Sequence, residues 1–137
     1  MNIPEHLHPF HGPTLIAVTD NVQAKLYLAN EREINLVHTI STKSVPEAHD
    51  DTRSAEPAER HQTAGREELY QRLSEDLLAR LRNGEFEALA VTVPQENMNE
   101  LKETLHVELL KAADAWVGKL LTNDDVIDIV QHVQEEG

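Results

Sequence analysis

The sequence predicts an α/β domain built on a mixed five-stranded sheet, strand order 3-2-1-4-5, with helices packed on it. Three observations carry this. Two short runs, Leu15–Val18 and Ala88–Val93, are apolar but for Thr92, the signature of strands covered on both faces. Three strand-like runs before residue 41 follow one another too closely for crossover helices, so they form an antiparallel meander. After residue 65 the apolar period changes from two residues to between three and four, and helical segments alternate with strands.

Each element follows in order. Residues 1–13, MNIPEHLHPFHGP, carry Pro4, Pro9 and a Gly12-Pro13 break, which predicts an irregular leader ahead of a domain spanning 14–137. Leu15–Val18 forms the first strand, closed by Thr19-Asp20-Asn21. Ala24, Leu26 and Leu28 alternate with Gln23, Lys25 and Tyr27 as the second, and Asn30 to Glu33 turns the chain. Ile34, Leu36, His38 and Ile40 share one face of the third. Residues 41–65 hold two prolines, many charges and almost no large apolar side chain. Such a stretch buries too little surface to offset its ordering entropy, so a mobile acidic loop is expected there.

Leu69, Leu73, Leu77 and Leu81, with Tyr70 and Leu78, mark the buried stripe of a helix. Glu68 with Arg72 and Asp76 with Arg80 are acid-first pairs four residues apart, and Asn83-Gly84 ends the helix. Ala88–Val93 is the fourth strand and stops at Pro94; Met98, Leu101 and Leu105 resume helical spacing, and His106 to Ala113 adds a short helical piece. Ala115 and Val117 mark the fifth strand, although 114–118 is also compatible with a prolonged helix. Thr122-Asn-Asp-Asp125 resembles a capping box, with the Thr122 hydroxyl accepting an amide hydrogen, ahead of a final helix with Val126, Ile129, Val130 and Val133 inward. The fourth strand lies parallel beside the first. Between their carboxyl ends is a switch point where Asp20 meets Pro94–Asn97, the default location of a ligand site in such sheets.

Composition removes several classes of function. The chain has 137 residues, 25 acidic against 12 basic, for a formal net charge of −13, and no cysteine. Binding bare nucleic acid depends on cations that displace phosphate counterions, so this balance opposes it, and no bare-DNA binding is expected. Without cysteine there is no disulfide framework, thiolate metal site or thiol nucleophile. No apolar run approaches the roughly 20 residues of a membrane helix, and residues 1–13 lack a signal-peptide core, so a cytoplasmic protein without membrane attachment is expected.

The stretch LIAVTDNVQAKLYLAN, an apolar strand, aspartate, small or polar residues, alanine, a basic residue and a second apolar strand, resembles the opening of the bacterial host attachment protein family. That family is a branch of the bacterial and archaeal proteins related to peptide-chain release factors. In order after it come a polar loop with His49, Arg53, Arg60 and His61, then REELYQRLSEDLLARLRNGEFEALAVTVP, NELKETLHVELLKAA and VGKLLTNDDVIDIVQHV, so the resemblance covers about residues 14–134. It implies a fold like that of translation-machinery components, ribonuclease H-like in topology, and a role near the ribosome or tRNA. The family's Lys-Asp-Leu-Thr stretch reads Lys119, Leu120, Leu121, Thr122 here, without the acid. The chain also has no Gly-Gly-Gln tripeptide, so peptidyl-tRNA hydrolysis is not implied.

The resulting expectation is a non-catalytic binding or adaptor domain without a cofactor, acting on a ribosomal, tRNA or protein partner. The alternative is a metal-dependent hydrolase or nuclease centred on Asp20, in which carboxylates hold metal ions that activate water. Only Asp20 and Glu96 are available for that, and a turn role explains Asp20 equally well. Candidate binding residues are Asp20, Arg53, Arg60, His61, Arg66, Glu96 and Lys119. The acids Asp50, Asp51, Glu56 and Glu59 interleave with the loop cations and weaken their field. His6, His8 and His11 have spacing compatible with a metal ion, but only Glu5 lies nearby to complete a shell. No Gly-rich phosphate loop, Gly-x-Ser-x-Gly elbow or His-Glu-x-x-His motif is present.

Overall fold

The two apolar runs lie side by side at the centre of the sheet. The computed structural model describes residues 1–41 and 58–136, with side chains from Gly65 onward in the second segment. Strands β1 (Phe10–Thr19), β2 (Gln23–Glu31), β3 (Glu33–Ser41), β4 (Ala88–Thr92) and β5 (Ala113–Val117) form one sheet in the order β3-β2-β1-β4-β5. β1 pairs with β2 antiparallel, β2 with β3 antiparallel, and β4 is parallel to both β1 and β5. The helices are α1 (Ala58–Arg82), α2 (Met98–Thr104), α3 (Val107–Ala112) and α4 (Val126–Glu136).

Alternation along the central strands divides the core in two. Leu15, Ala17, Leu89 and Val91 face Leu69, Tyr70, Leu73 and Leu77 of α1, Leu101 of α2 and Leu109 of α3. Ile16, Val18 and Ala90 face Ile129, Val130 and Val133 of α4. Both faces of β1 and β4 are therefore sealed, which is why these strands carry no polar alternation. The C-terminus of α1 closes as the Asn83-Gly84 signal predicts. Gly84 has φ +78, its amide donates to the Leu81 carbonyl, and the Glu85 amide donates to that of Arg80, the paired bonds of a Schellman motif.

Four local expectations are corrected. The segment read as a leader is partly built into the domain: β1 begins at Phe10, and Ile3 and Leu7 are buried against the α4-side core. The prolines and glycine that suggested irregularity accommodate a shift of register between Phe10 and Thr14, where Gly12 has φ +136, a conformation open to glycine at no steric cost. The loop expected over 41–65 ends earlier, because α1 starts at Ala58; residues 42–57 lie outside those described.

In β3, Ile34 and Ile40 do not share a face. Leu26 pairs with His38 but Tyr27 with Leu36, so Val37 is an extra residue. A one-residue bulge reverses the facing of everything beyond it. Ile34 therefore packs in the α4-side core and Ile40 in the α1-side core, while Leu36 and His38 are exposed. Finally, α4 starts at Val126 rather than around Thr122, and the Thr122 hydroxyl does not cap it.

Candidate functional site at the carboxyl ends of β1 and β4

Asp20 follows the last residue of β1, where the chain leaves the sheet for the turn into β2. One carboxylate oxygen accepts from the backbone amides of Val22 and Gln23 at 2.7 and 2.8 Å, and the Asp20 amide donates to the Gln23 carbonyl at 2.9 Å. This is the aspartate-led turn that a short acceptor side chain favours. The other oxygen accepts from the Thr122 hydroxyl at 2.7 Å. Thr122 is 1% exposed, and its carbonyl accepts from the Lys25 ammonium at 2.8 Å. Asp20 and Lys25 thus fasten the β5–α4 connection to the β1–β2 hairpin.

On the other side of the switch point Pro94 ends the run of β4, and Gln95–Asn97 makes a single 3-10 turn leading into α2. Asn97 is buried, and its amide donates to the Asn21 side-chain oxygen at 2.8 Å. Arg66 of α1 reaches the same oxygen at 3.4 Å and forms an ion pair with Glu100 at 2.9 Å. The hydroxyl of Tyr70 is buried close to Thr19 and Asn97, without a well-formed hydrogen bond to either. Burial pushes its pKa above the usual phenol value, while Thr19, Asn97 and Arg66 act in the opposite direction.

Between these loops lies a cleft of about 460 Å³ lined by Asp20, Asn21, Val22, Pro94, Gln95, Glu96, Gly118, Lys119 and Leu120. Val22 is 37% and Leu120 is 59% exposed, so two apolar side chains stand at a rim that is otherwise polar. Lys119 donates to Glu136 at 2.9 Å, and His132 contacts the same carboxylate at 2.6 Å. The hydrogen bonds from His132 and Lys119 hold the Glu136 carboxyl below its usual pKa. Larger depressions of about 580 and 800 Å³ lie at the opposite end of the sheet around Glu31 and Arg32. They are lined by polar residues too, among them Asn2, Asn30, Glu31, Glu33 and Asn35, and Arg32 is engaged there in donating to the Pro4 and Leu7 carbonyls.

Asp20, Glu96 and Lys119 of the sequence candidates meet at one cleft, and Arg66 stands behind it through Asn21. Arg60 and His61 fall within the helical backbone of α1, and Arg53 lies outside the described residues. His6, His8 and His11 are exposed near the start of β1, at the far end of the sheet from Asp20. Among the described residues no group of three histidine or carboxylate side chains is arranged to hold a metal ion. The sequence reading missed Asn21, Asn97 and Thr122 as the links that join the loops. Asn21 stands in a closing turn and Thr122 in a supposed cap, where local roles account for both, so nothing in the residue pattern marks their long-range partners.

Neither Asp20 oxygen is left without a hydrogen-bond donor. The cleft has the bonding of a structural junction.

A family model described as bacterial archaeo-eukaryotic release factor family 12 matches residues 13–133. The chain belongs to that family. The sheet and helices are also similar to the crystal structure of an archaeal translation termination factor, aRF1, with a TM-score of 0.52 and 15% identity over 90% of this chain. The chain spans 37% of the length of that factor, and at such identity the likeness concerns the fold. No curated protein matches. The release-factor relationship read from LIAVTDNVQAKLYLAN and the segments after it is thereby shown, as is the mixed five-stranded architecture. Among the described residues no helix is long and apolar enough to cross a membrane.

Proposed function

We propose that this family 12 domain is a non-catalytic binding module that contacts a component of the translation machinery through the cleft between the Asp20 turn, the Pro94–Asn97 turn and Lys119. The observation that carries this reading is the bonding of Asp20. The carboxylate best placed for chemistry already accepts two backbone amides and the buried Thr122 hydroxyl. With three of about four acceptor sites on that carboxylate already filled, little of it is left for a metal ion or an activated water, which favours a contact role over the hydrolase or nuclease alternative.

The cations near the cleft point to the kind of contact. Lys119 is paired with Glu136, Arg66 with Glu100, and Lys25 with a carbonyl. With a net charge of −13, a surface whose cations are already engaged has little free positive charge for a phosphate backbone. The exposed Val22 and Leu120 beside Glu96 fit a protein surface of the ribosome or of a factor bound to it better than exposed RNA. The opening segment supports kinship with the host attachment branch of release-factor-related proteins, and a partner in translation implies a cytoplasmic location.

Affinity capture of the tagged full chain from cells at low salt tests the reading. Ribosomal proteins or translation factors should be recovered with the wild type and lost with Leu120→Asp. A preparation free of both would remove the hypothesis, and RNA cleavage dependent on Mg²⁺ or Mn²⁺ and abolished by Asp20→Asn would replace it with the nuclease.

A further inference from the structure

At the amino ends of β1, β4 and β5, away from the Asp20 cleft, a second pocket of about 530 Å³ opens on the α4 side of the sheet. Phe10, Ala88, Ala90 and Val133 give it an apolar lining. One wall is the backbone of the first segment, which Gln134 of α4 holds in place. The His8 amide donates to the Gln134 side-chain oxygen at 2.9 Å, and the Gln134 amide group donates to the His8 carbonyl at 2.6 Å. The wall is therefore fixed by the chain's own bonds.

The charged and titratable side chains lining this pocket are Glu87, Asp114, His8 and His11, with no lysine or arginine among them. Glu87 immediately precedes β4, and its carboxylate occupies the space that a Cβ on Gly12 would fill. Asp114 is the extra residue of a bulge in β5, because Leu89 pairs with Ala113 but Ala90 with Ala115, and a bulge re-aims the side chain it carries. Both acids are exposed, and neither carboxylate has a hydrogen bond or ion pair among the described residues.

We propose that this pocket binds an arginine side chain of a protein partner, its stem on the apolar lining and its guanidinium on Glu87 and Asp114. Two unpaired carboxylates with no cation beside them select a positive group. Among the described residues no three histidine or carboxylate side chains are arranged to hold a metal ion, which leaves an organic cation. Guanidinium carries five donors in a planar, weakly hydrated fork, so it can serve two carboxylates and an imidazole acceptor together, whereas an ammonium is a compact, strongly hydrated charge. The apolar lining suits the arginine stem. Free arginine fits less well, because its own carboxylate meets the same acids with no cation to receive it. An arginine within a peptide chain brings no such charge.

NMR titration of the isotope-labelled full chain with acetyl-arginine N-methylamide, at about pH 8 where free imidazole carries no charge, tests the proposal. The amides of Glu87, Ala88, Asp114 and Gln134 should shift, with a Kd on the order of 1 mM, ordinary for one side chain in an open pocket. Capped citrulline, which keeps the shape without the charge, capped lysine and free arginine should each bind at least about threefold more weakly. Glu87→Gln and Asp114→Asn should each weaken binding about threefold, and the double variant about tenfold. Both positions are exposed, and an unchanged spectrum away from the pocket checks that the variants fold. Glu75→Gln, which removes an exposed charge from α1 on the opposite face of the sheet, should leave the Kd within about 1.5-fold. No shift at those amides up to about 20 mM ligand, equal binding of any of the three comparison ligands, or binding indifferent to both pocket variants would overturn the proposal. So would a loss from Glu75→Gln as large as theirs.

Discussion

Replacing Asp20 by alanine separates a structural role from a purely functional one. The substitution removes three hydrogen bonds to a carboxylate, at 2.7, 2.8 and 2.7 Å. Bonds to a charged acceptor contribute about 1.5–3 kcal/mol each where water is excluded, and less where it is not. Val22 is exposed and Gln23 partly so, so water replaces much of what their amides lose. Thr122 is 1% exposed, and its hydroxyl is left buried without a partner, at a cost of about 1–3 kcal/mol. With roughly 1 kcal/mol from the unravelled turn, the expected loss is about 2–4 kcal/mol. Asp20→Asn keeps an acceptor for the amides, and the Thr122 hydroxyl can turn to accept from the new amide group, so it should cost about 1 kcal/mol or less.

Urea unfolding measures both variants. With a slope of about 2 kcal/mol per molar, Asp20→Ala should lower the midpoint by about 1–2 M. Thr122→Val alone and the double variant complete a cycle whose coupling should be at least about 1 kcal/mol, because the two side chains touch. An Asp20→Ala midpoint within 0.25 M of wild type, roughly the ±0.5 kcal/mol of an ordinary surface substitution, or a coupling near zero, would refute the reasoning. Asp20 would then be held in place at a cost to stability, as a reactive carboxylate is.

Four further outcomes follow from packing and charge. Ile3→Ala should cost about 2–4 kcal/mol in the same unfolding assay, because Ile3 is 2% exposed in the α4-side core; a neutral result would mean that the first residues are not part of the fold. Gly12→Ala should lose about 1–3 kcal/mol, since φ is +136 and the added carbon would also meet the Glu87 carboxylate. Tyr70→Phe should change stability by no more than about 1 kcal/mol, as its buried hydroxyl lies beside Thr19 and Asn97 without a well-formed bond to either; a larger loss would reveal a bond made by that hydroxyl. Acid should loosen the last turn of α4. The carboxyl of Glu136 has a lowered pKa in the folded chain, so its pairing with His132 and Lys119 contributes at neutral pH and is lost as pH falls through the folded value. The protection of amides 133–136 against exchange, taken relative to the intrinsic rate at each pH, should therefore fall on acidification, and Glu136→Gln should abolish that fall.

The centre of the fold was legible because burial on both faces leaves no ambiguity of register. Apart from the buried Thr92, Leu15–Val18 and Ala88–Val93 are apolar on both faces, and the short spacing of the first three strands excludes crossovers. At the periphery the letters mislead. Ile34, Leu36, His38 and Ile40 keep perfect alternation in sequence, yet the bulge at Val37 depends on backbone geometry and sends Ile34 and Ile40 to opposite faces. Ile3 and Leu7 were hidden among prolines that signal irregular chain, and irregular chain can still bury apolar side chains when a sheet edge anchors it, as Arg32 does here. At the cleft, strand order alone brought Asp20 to Glu96. The bond from Thr122 to Asp20 spans 102 positions and competes with a local cap that sequence favours, so only the folded chain reveals it.

Site-specific photocrosslinking in cells tests most directly whether the cleft meets the translation machinery. A photoreactive residue at position 120, 59% exposed on the cleft rim, should capture a ribosomal protein or translation factor, whereas one at position 110, on α3 and 37% exposed, should not. Capture of the same component from position 110 alone, or none from position 120 with the folded protein present, would contradict the account.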